Sequence, residues 1–289
     1  MPVLNPQFAV LPSSLEHPGA RTISPDSDLF LRSYIRQESG IQLGEDKQYL
    51  LQTRLAPILR SFKIASFDEL CRHLRLNQDA ALKRRIIEAM TTHETLFFRD
   101  AAVFEVLASN IFPEIARKKR AERKMRIWSA ACSSGQEPYS LAILLDELGL
   151  GEWDVRIVAT DLSSAILERA ATGRYLSIEI GRGLSAARRA VYFDKIGQDW
   201  QVKSNVQHKV EFQQADLRQA MIPLEPFDMA LCRNVLIYFD KEGRKRVLDN
   251  IWRSLVPGGF LVLGSSETTF SMDSKFTRRQ VGNAVFYQK

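Results

Sequence analysis

Three acidic residues, Glu137, Asp161 and Asp216, stand where an α/β sheet would present them to a ligand. Asp161 closes the apolar run 155–160, and Asp216 follows shortly after the run 210–213. An acid at the end of the second strand commonly accepts hydrogen bonds from ribose hydroxyls. Asp216, at the end of the third, comes within reach of an exocyclic amine if the ligand is an adenosine. Glu137 lies in the first turn of an expected helix, where a phosphate would otherwise sit, and so suits a ligand bearing positive charge. No G-x-G-x-x-G is present, so pyrophosphate cradling has little support. S-adenosylmethionine meets these conditions: adenosine, an α-amino group and a sulfonium, with no phosphate. Any one such acid is more often a cap or a surface charge, but three at successive strand ends reverse that balance.

The elements that must position these acids begin with the stretch RIWSAACSSGQEPYSLAILLDEL, residues 126–148. Its first part, 126–131, reads as a buried strand, and the small residues 132–135 allow a tight turn. Glu137-Pro138 then opens a helix, since proline suits a first turn that does not need its N–H. Leu141, Leu144, Leu145 and Leu148 recur at helical spacing. Strand, loop and helix form the opening unit of a nucleotide-binding α/β domain, although any α/β protein contains such units. After the runs ending at Asp161 and Asp216, a fourth strand, Phe227–Cys232, leads into Arg233-Asn234. A helix over 241–255, a Pro-Gly-Gly turn, a strand over 260–264 and a terminal strand Ala284–Gln288 complete the pattern. It predicts a mainly parallel sheet with a late antiparallel pair. Between Gly173 and His208 lies an insert in which 192–196 and 200–203 flank Gly197-Gln198-Asp199, a small hairpin.

Ahead of this domain the patterning is helical. Residues 1–24 hold four prolines and little periodicity, as expected of a mobile tail. Asp26 or Ser27 is placed to cap a helix carrying Phe30, Leu31, Tyr34 and Ile35. A second helix is expected from about Glu45 with Leu51, Leu55 and Ile58 inward, and Pro57 should kink or end it. Further helices are expected at Phe67–Leu76 and Ala80–Met90. The resulting division is a helical domain over 25–95, a linker over 96–124, and the α/β domain over 125–289 with its β-bearing insert at about 174–208. The span 47–85 carries nine Lys/Arg against Asp68, Glu69 and Asp79, a surplus equal to the +6 of the whole chain. Lys47 and Arg54 are expected on one helix face, and the patch would steer an acidic partner over about a Debye length. A solvated helical surface would look the same at any single residue.

Composition narrows the class. With 45% hydrophobic and 26% charged residues, the chain reads as an ordinary soluble globular protein. No apolar run approaches a membrane span, and prolines interrupt the amino terminus where a signal peptide would need an unbroken core. Three separated cysteines, Cys71, Cys132 and Cys232, fit reduced thiols of a cytoplasmic protein, and four scattered histidines offer no zinc spacing.

Four segments together, TTHETLFFRD (91–100), SAACSSGQEPYS (129–140), ATDLS (159–163) and CRNVLIYF (232–239), resemble the bacterial chemotaxis receptor methyltransferases. The likeness covers roughly 25–289 in the same order. It implies an S-adenosylmethionine-dependent protein-glutamate O-methyltransferase, releasing S-adenosylhomocysteine, with a helical amino-terminal domain and a Rossmann-like domain carrying a small β-subdomain. Carried over by motif, His93, Thr95 and Arg99 would line the cofactor, and Glu137 would meet its α-amino group. Asp161 would hold the ribose and Asp216-Leu217 the adenine. Arg233-Asn234 would close the pocket near the methionyl end, with Tyr238 near the transferable methyl. The partner implied is the cytoplasmic domain of a methyl-accepting receptor, met through Arg54, Arg60, Arg72 and Arg75 by a monomeric enzyme. The family usually has Asn where this chain has His93, whose imidazole can donate and accept one bond each and whose charge depends on pH. Its second helix tends to carry a basic run where Pro57-Ile58 stands here. The hairpin loop at 197–199 is shorter than in members that dock on a receptor's tail peptide, which counts against tail tethering.

The expected chemistry asks little of side chains. A glutamate carboxylate, which ordinarily titrates near pH ~4.3, is already ionised at neutral pH and needs no general base. Arg99 would orient it, since a guanidinium offers paired donors; a salt bridge is the plainer role. A nucleic-acid methyltransferase would suit the basic balance, but base amino-methylases usually carry a D/N-P-P-Y segment after the fourth strand, and this chain has none. A non-catalytic S-adenosylmethionine sensor would not need Arg99 and Tyr238. A NAD dehydrogenase needs the missing glycine fingerprint.

Overall fold

The computed structural model describes residues 22–289 except 77, 78, 222, 271 and 273, so most of the expected tail lies outside the described residues. The chain forms two compact units, of which the described parts are 22–34 with 43–90, and 35–42 with 91–289.

The first unit is helical. Helix α1 spans Pro25–Ser39 and enters the second unit at Ile35. A 3-10 turn, Glu45–Lys47, precedes α2, Gln48–Ser61; α3 is Phe67–Leu76 and α4 is Ala80–Met90. The cap of α1 is not Asp26 or Ser27: Ser24 Oγ accepts the Ser27 N–H at 3.3 Å, and Pro25 takes the first helical position. Proline there forfeits only an N–H that had no helical partner. Pro57 does not end α2, which runs on to Ser61. Leu51, Leu55, Ile58 and Leu59 on that helix are buried and outweigh one missing backbone bond. Lys47 sits in the 3-10 turn rather than on α2, so it shares no α-helical face with Arg54.

The second unit is α/β. The stretch 96–124, expected as a linker, carries α5 (Ala101–Val106), a π-helical turn (Leu107–Ile111) and α6 (Phe112–Lys118). Phe104, Leu107, Ile111, Phe112 and Ile115 from this stretch are buried in the unit's core. Then follow β1 (Lys124–Ala130), α7 (Gln136–Glu147), β2 (Asp154–Asp161) and α8 (Ser164–Thr172). The insert comprises β3 (Arg174–Leu176), α9 (Ser177–Ile180), α10 (Ala186–Tyr192), β4 (Phe193–Ile196), β5 (Asp199–Val202) and α11 (Ser204–Gln207). The chain closes with β6 (Val210–Gln214), β7 (Phe227–Cys232), α12 (Lys241–Ser254), β8 (Leu255–Leu263), β9 (Thr277–Val281) and β10 (Ala284–Gln288).

A seven-stranded sheet has the order β6-β2-β1-β7-β8-β10-β9. Its pairs from β6 through β8 are parallel, and β10 is antiparallel to both neighbours. Residues alternate between two cores: Ile127, Ile157 and Met229 face one, while Trp128, Val158 and Ala230 face the other. Such strands are apolar on both faces because helices cover both sides. The order reverses at β1, whose neighbours are β2 and β7, and ligands bind outside the carboxyl ends of strands at such a point. The insert's hairpin is part of a three-stranded sheet, β3-β5-β4.

Two strand expectations change. The Pro-Gly-Gly segment lies inside β8, opposite a register shift between Phe227 and Met229. A Cβ on Gly259 would stand 2.9 Å from the Val256 carbonyl oxygen, so the irregularity requires glycine. The strand β9 went unpredicted because its sequence, TRRQV, is charged and lies at the sheet edge. Among the described residues no helix is long and apolar enough to cross a membrane.

Candidate active site

The parallel register brings the predicted residues to one end of the sheet. Ala130 pairs with Thr160 and with Cys232, and Asp161 pairs with Gln214. The segments following β1, β2, β6 and β7 therefore open on the same edge.

Beyond β1 the chain turns sharply, with Ala131, Ser133 and Gly135 in the left-handed region at φ of 61°, 52° and 91°. Left-handed alanine and serine each cost about 1–3 kcal/mol and persist only where neighbours hold them. Asp161 Oδ2 accepts the Ser133 N–H at 2.9 Å, and the Cys132 N–H reaches the Thr160 carbonyl at 2.9 Å. Ser133 Oγ donates to the His93 carbonyl at 2.9 Å, tying the 91–100 segment to the same loop. The imidazole of His93 lies 2.7 Å from Thr91 Oγ1 through Nε2. Asp161 also accepts the Ser163 N–H at 3.1 Å and is 8% exposed.

Glu137 sits in the first turn of α7. Its Oε1 accepts from Ser129 Oγ at 2.7 Å and its Oε2 from Arg233 Nη1 at 3.0 Å. Arg233 Nη2 also donates to the Arg99 carbonyl at 2.7 Å and to Asp100 Oδ2 at 2.6 Å. The Arg233 side chain is only 2% exposed, and its Nε has no hydrogen-bond partner among the described residues. Arg233 thus links the acid of α7 to the backbone that carries Arg99. Arg99 itself lies between two left-handed residues, Phe98 at φ 51° and Asp100 at φ 61°, and its Nη1 donates to the Glu94 carbonyl at 3.0 Å. Thr95, half-buried, lies between these two anchored stretches.

The FFR segment is held by the insert. Phe97 is fully buried and meets Tyr175 and Phe193 edge-on at 4.9 and 5.5 Å. Gly183 approaches so closely that a Cβ there would fall 1.9 Å from the Phe97 carbonyl oxygen. The Arg188 guanidinium stacks 3.8 Å over Phe98 and pairs with Glu147.

Asp216 follows the end of β6, as the sequence reading expects, and its carboxylate has a partner within the chain. Both its oxygens engage Arg218, at 2.7–3.1 Å, and Arg218 also donates to the Gln37 and Glu38 carbonyls at the end of α1. The carboxylate therefore fixes the 216–218 turn. Leu217 is buried and its carbonyl is pinned by Asn250 Nδ2 at 3.0 Å. After β7, Asn234 adopts φ 58°, and Tyr238 ends the 3-10 turn Leu236–Tyr238 with its carbonyl accepting the Gln42 N–H at 2.8 Å.

Sequence reasoning missed Ser129, Asp100, Arg218 and Glu267. Ser129 and Asp100 stand inside motifs already singled out, but nothing in the sequence marked Glu267. Its carboxylate accepts the N–H groups of Gly264, Asn234, Val235 and Leu236 at 2.7–2.9 Å. The backbone nest after β7 is thus filled by the chain's own acid Glu267, while Glu137, in the first turn of α7, is held by the Ser129 and Arg233 side chains. Burial, and after it the carboxylates of Asp161 and Glu137, pushes the Cys132 thiol well above its ordinary range. The Glu137 and Asp161 carboxylates are acceptors suited to an ammonium and to hydroxyls rather than to a phosphate.

Residues 93–285 match the family model described as CheR methyltransferase, SAM binding domain, and residues 29–91 match its all-alpha domain. The chain belongs to the CheR methyltransferase family. It is 42% identical over 269 residues to chemotaxis protein methyltransferase 1 of Pseudomonas aeruginosa, covering 91% of this chain and 97% of that one. It is 41% identical over 263 residues to chemotaxis protein methyltransferase Cher2 of Pseudomonas putida, covering 89% and 95%. The cofactor of this methyltransferase is S-adenosylmethionine, and the carboxylates gathered at the strand ends fit it.

Asp161 offers a direct check on that fit. Asp161→Ala is expected to lose about 1.5–3 kcal/mol of S-adenosylhomocysteine affinity, as for one charge-assisted hydrogen bond. Calorimetric titration with circular dichroism reads the outcome; unchanged affinity in a folded variant would remove Asp161 from the site.

Proposed function

We propose that this methyltransferase esterifies glutamate side chains on the cytoplasmic helices of chemoreceptors. The observation that supports it best is the coupling of Glu137, through Arg233, to the backbone carrying Arg99. When bound, S-adenosylmethionine supplies an electrophilic methyl that an ionised carboxylate can take with no proton to move. The protein's work is then alignment, a contribution that can reach roughly 7–11 kcal/mol. In this reading Glu137 receives the α-ammonium through its remaining lone pairs and Asp161 receives the ribose. Asp216 and Leu217 border the adenine, in the turn that the Asp216–Arg218 pair fixes. His93 and Thr95 border the cofactor, and Asn234 closes the methionyl end. Arg233 acts there through Glu137 rather than by direct contact. Arg99 orients the incoming carboxylate, and Tyr238 packs beside the methyl. Transfer of tritium from labelled S-adenosylmethionine into a panel of receptor cytoplasmic domains and nucleic acids tests the proposal. Receptor label released as methanol by alkali is expected, and label confined to nucleic acid would overturn it.

The receptor is docked, in the same proposal, by the basic surface of the helical unit, with the enzyme acting as a monomer in the cytoplasm. Three buried free cysteines accord with a reducing compartment. Arg54 is not among the docking residues: it donates to the Met90 carbonyl at 2.9 Å, at the end of α4. Arg60 and Arg72 are exposed, and Arg75 is exposed with its guanidinium 4.6 Å from the Phe30 ring centroid. Exposed charges act mainly on encounter, so kcat/KM on the receptor should fall steeply with salt. Arg60→Glu with Arg72→Glu is expected to lower kcat/KM about tenfold at low salt, a size within the range of electrostatic steering. S-adenosylmethionine affinity should stay unchanged. Indifference to both salt and reversal would move docking away from this surface.

A further inference from the structure

We infer that Glu267 is a positioning residue for methyl transfer, acting as a built-in anion that sets the segment carrying Asn234 and Tyr238. The inference rests on the reading that these two residues border the site. Four backbone N–H groups converge on its carboxylate: Asn234 at 2.7 Å and Gly264 at 2.8 Å on Oε2, Val235 at 2.9 Å and Leu236 at 2.8 Å on Oε1. Three belong to consecutive residues after β7 and the fourth to Gly264, the residue after β8, so one side chain ties the chain segments leaving two neighbouring strands together. Asn234 is left-handed at φ 58°, and such a turn exposes successive N–H groups as a concave anion site. Three parallel N–H groups without an acceptor would be poorly satisfied, and the 3-10 turn that ends at Tyr238 begins directly upon them.

The space around the carboxylate is shaped for it. A Cβ on Gly264 would stand 2.7 Å from Glu267 Oε2 and 2.9 Å from the Asn234 nitrogen. The Glu267 N–H closes a tight turn onto the Gly264 carbonyl at 2.9 Å, which returns its side chain toward the loop after β7. The far end of the segment is held separately, through the Tyr238 carbonyl and the Gln42 N–H. With both ends fixed, the placement of Asn234 and Tyr238 follows from the nest being filled. Glu267 is half-buried, so small solutes can reach the nest once the side chain is removed.

That accessibility provides the test. Glu267→Ala should lower kcat about tenfold or more, equivalent to about 1.4 kcal/mol of transition-state stabilisation per tenfold. Added formate should restore kcat saturably and raise the melting temperature of the variant, since a ligand of the folded state stabilises it by mass action. Formamide should do neither, and wild type should respond to neither solute. Glu267→Gln keeps the side chain in place, and should show the lowered kcat without formate rescue. A full kcat in Glu267→Ala, or a formate-induced rise in melting temperature without recovery of turnover, would overturn the positioning role. So would the absence of any formate effect on either property. Should Glu267→Ala not fold, wild-type kcat in folded Glu267→Gln would overturn it equally. Asn234→Ala and Tyr238→Phe run alongside: full turnover in both would fail the site reading itself, a result distinct from any of these.

Discussion

Glu137→Ala is expected to weaken S-adenosylhomocysteine binding by about 1.5–3 kcal/mol and to destabilise the fold as well. The second effect follows from Arg233, whose guanidinium is 2% exposed and divides its bonds among Glu137, Asp100 and the Arg99 carbonyl. Removing one partner of a buried ion pair typically costs about 3–5 kcal/mol, because a charge remains without compensation. Asp100 stays in place and softens that loss, so a cost toward the lower end is expected. Glu137→Gln separates the two effects. Its amide oxygen can still accept from Ser129 or Arg233, but it carries no charge for an ammonium. This variant should melt close to wild type yet bind the ligand about tenfold more weakly, or worse. Calorimetry paired with thermal melting reads both quantities. Wild-type affinity in Glu137→Gln would show that the carboxylate serves Arg233 alone.

Much of the α/β unit was legible in the sequence because its strands are apolar on both faces. Phe227–Cys232 and Ala284–Gln288 could be bounded to the residue, since turn-forming or charged residues flank each apolar run. The unread strand, β9, fails that rule. Thr277–Val281 is an edge strand, and its Arg278 and Arg279 need no core. Pro57 and Pro257 are both accommodated inside elements, each for its own reason. The apolar face of α2 carries its helix past Pro57, and Gly258-Gly259 let β8 absorb Pro257 as an irregularity.

The candidate site divides in the same way. Glu137, Asp161 and Arg233 stand beside strand ends, and strand ends can be read. What a carboxylate pairs with cannot be read from spacing. Asp216 answers to Arg218 two residues away, while Glu267 reaches back 33 positions to Asn234, past α12 and β8. The three-stranded sheet of the insert was half visible, as a hairpin, because β3 is only three residues long. Its burial of Phe97, two residues before Arg99, depends on contacts between segments distant in sequence.

Arg99→Ala should leave cofactor affinity within a few-fold of wild type while turnover on the receptor falls about 100-fold, the scale associated with misplaced reactants. The structure separates the side chain of Arg99 from its backbone. Arg233 binds the Arg99 carbonyl, and Asp100 supplies the neighbouring carboxylate, so truncation at position 99 leaves the Glu137–Arg233–Asp100 cluster intact. The left-handed residues on either side are likewise held from elsewhere, Phe98 by its N–H on Ser140 Oγ at 2.9 Å and Asp100 by Arg233. What is lost is a guanidinium whose bond to the Glu94 carbonyl leaves most of its five donors for a substrate. Arg99→Lys keeps the charge but not the planar fork, and should recover only a minor part of the rate if two parallel bonds to a carboxylate are what the reaction needs. Single-turnover methyl transfer at saturating S-adenosylmethionine, with affinity measured separately, distinguishes these effects. Equal rates for Arg99→Ala and wild type would assign Arg99 to structure, and equal rates for Arg99→Lys and wild type would reduce its role to a point charge.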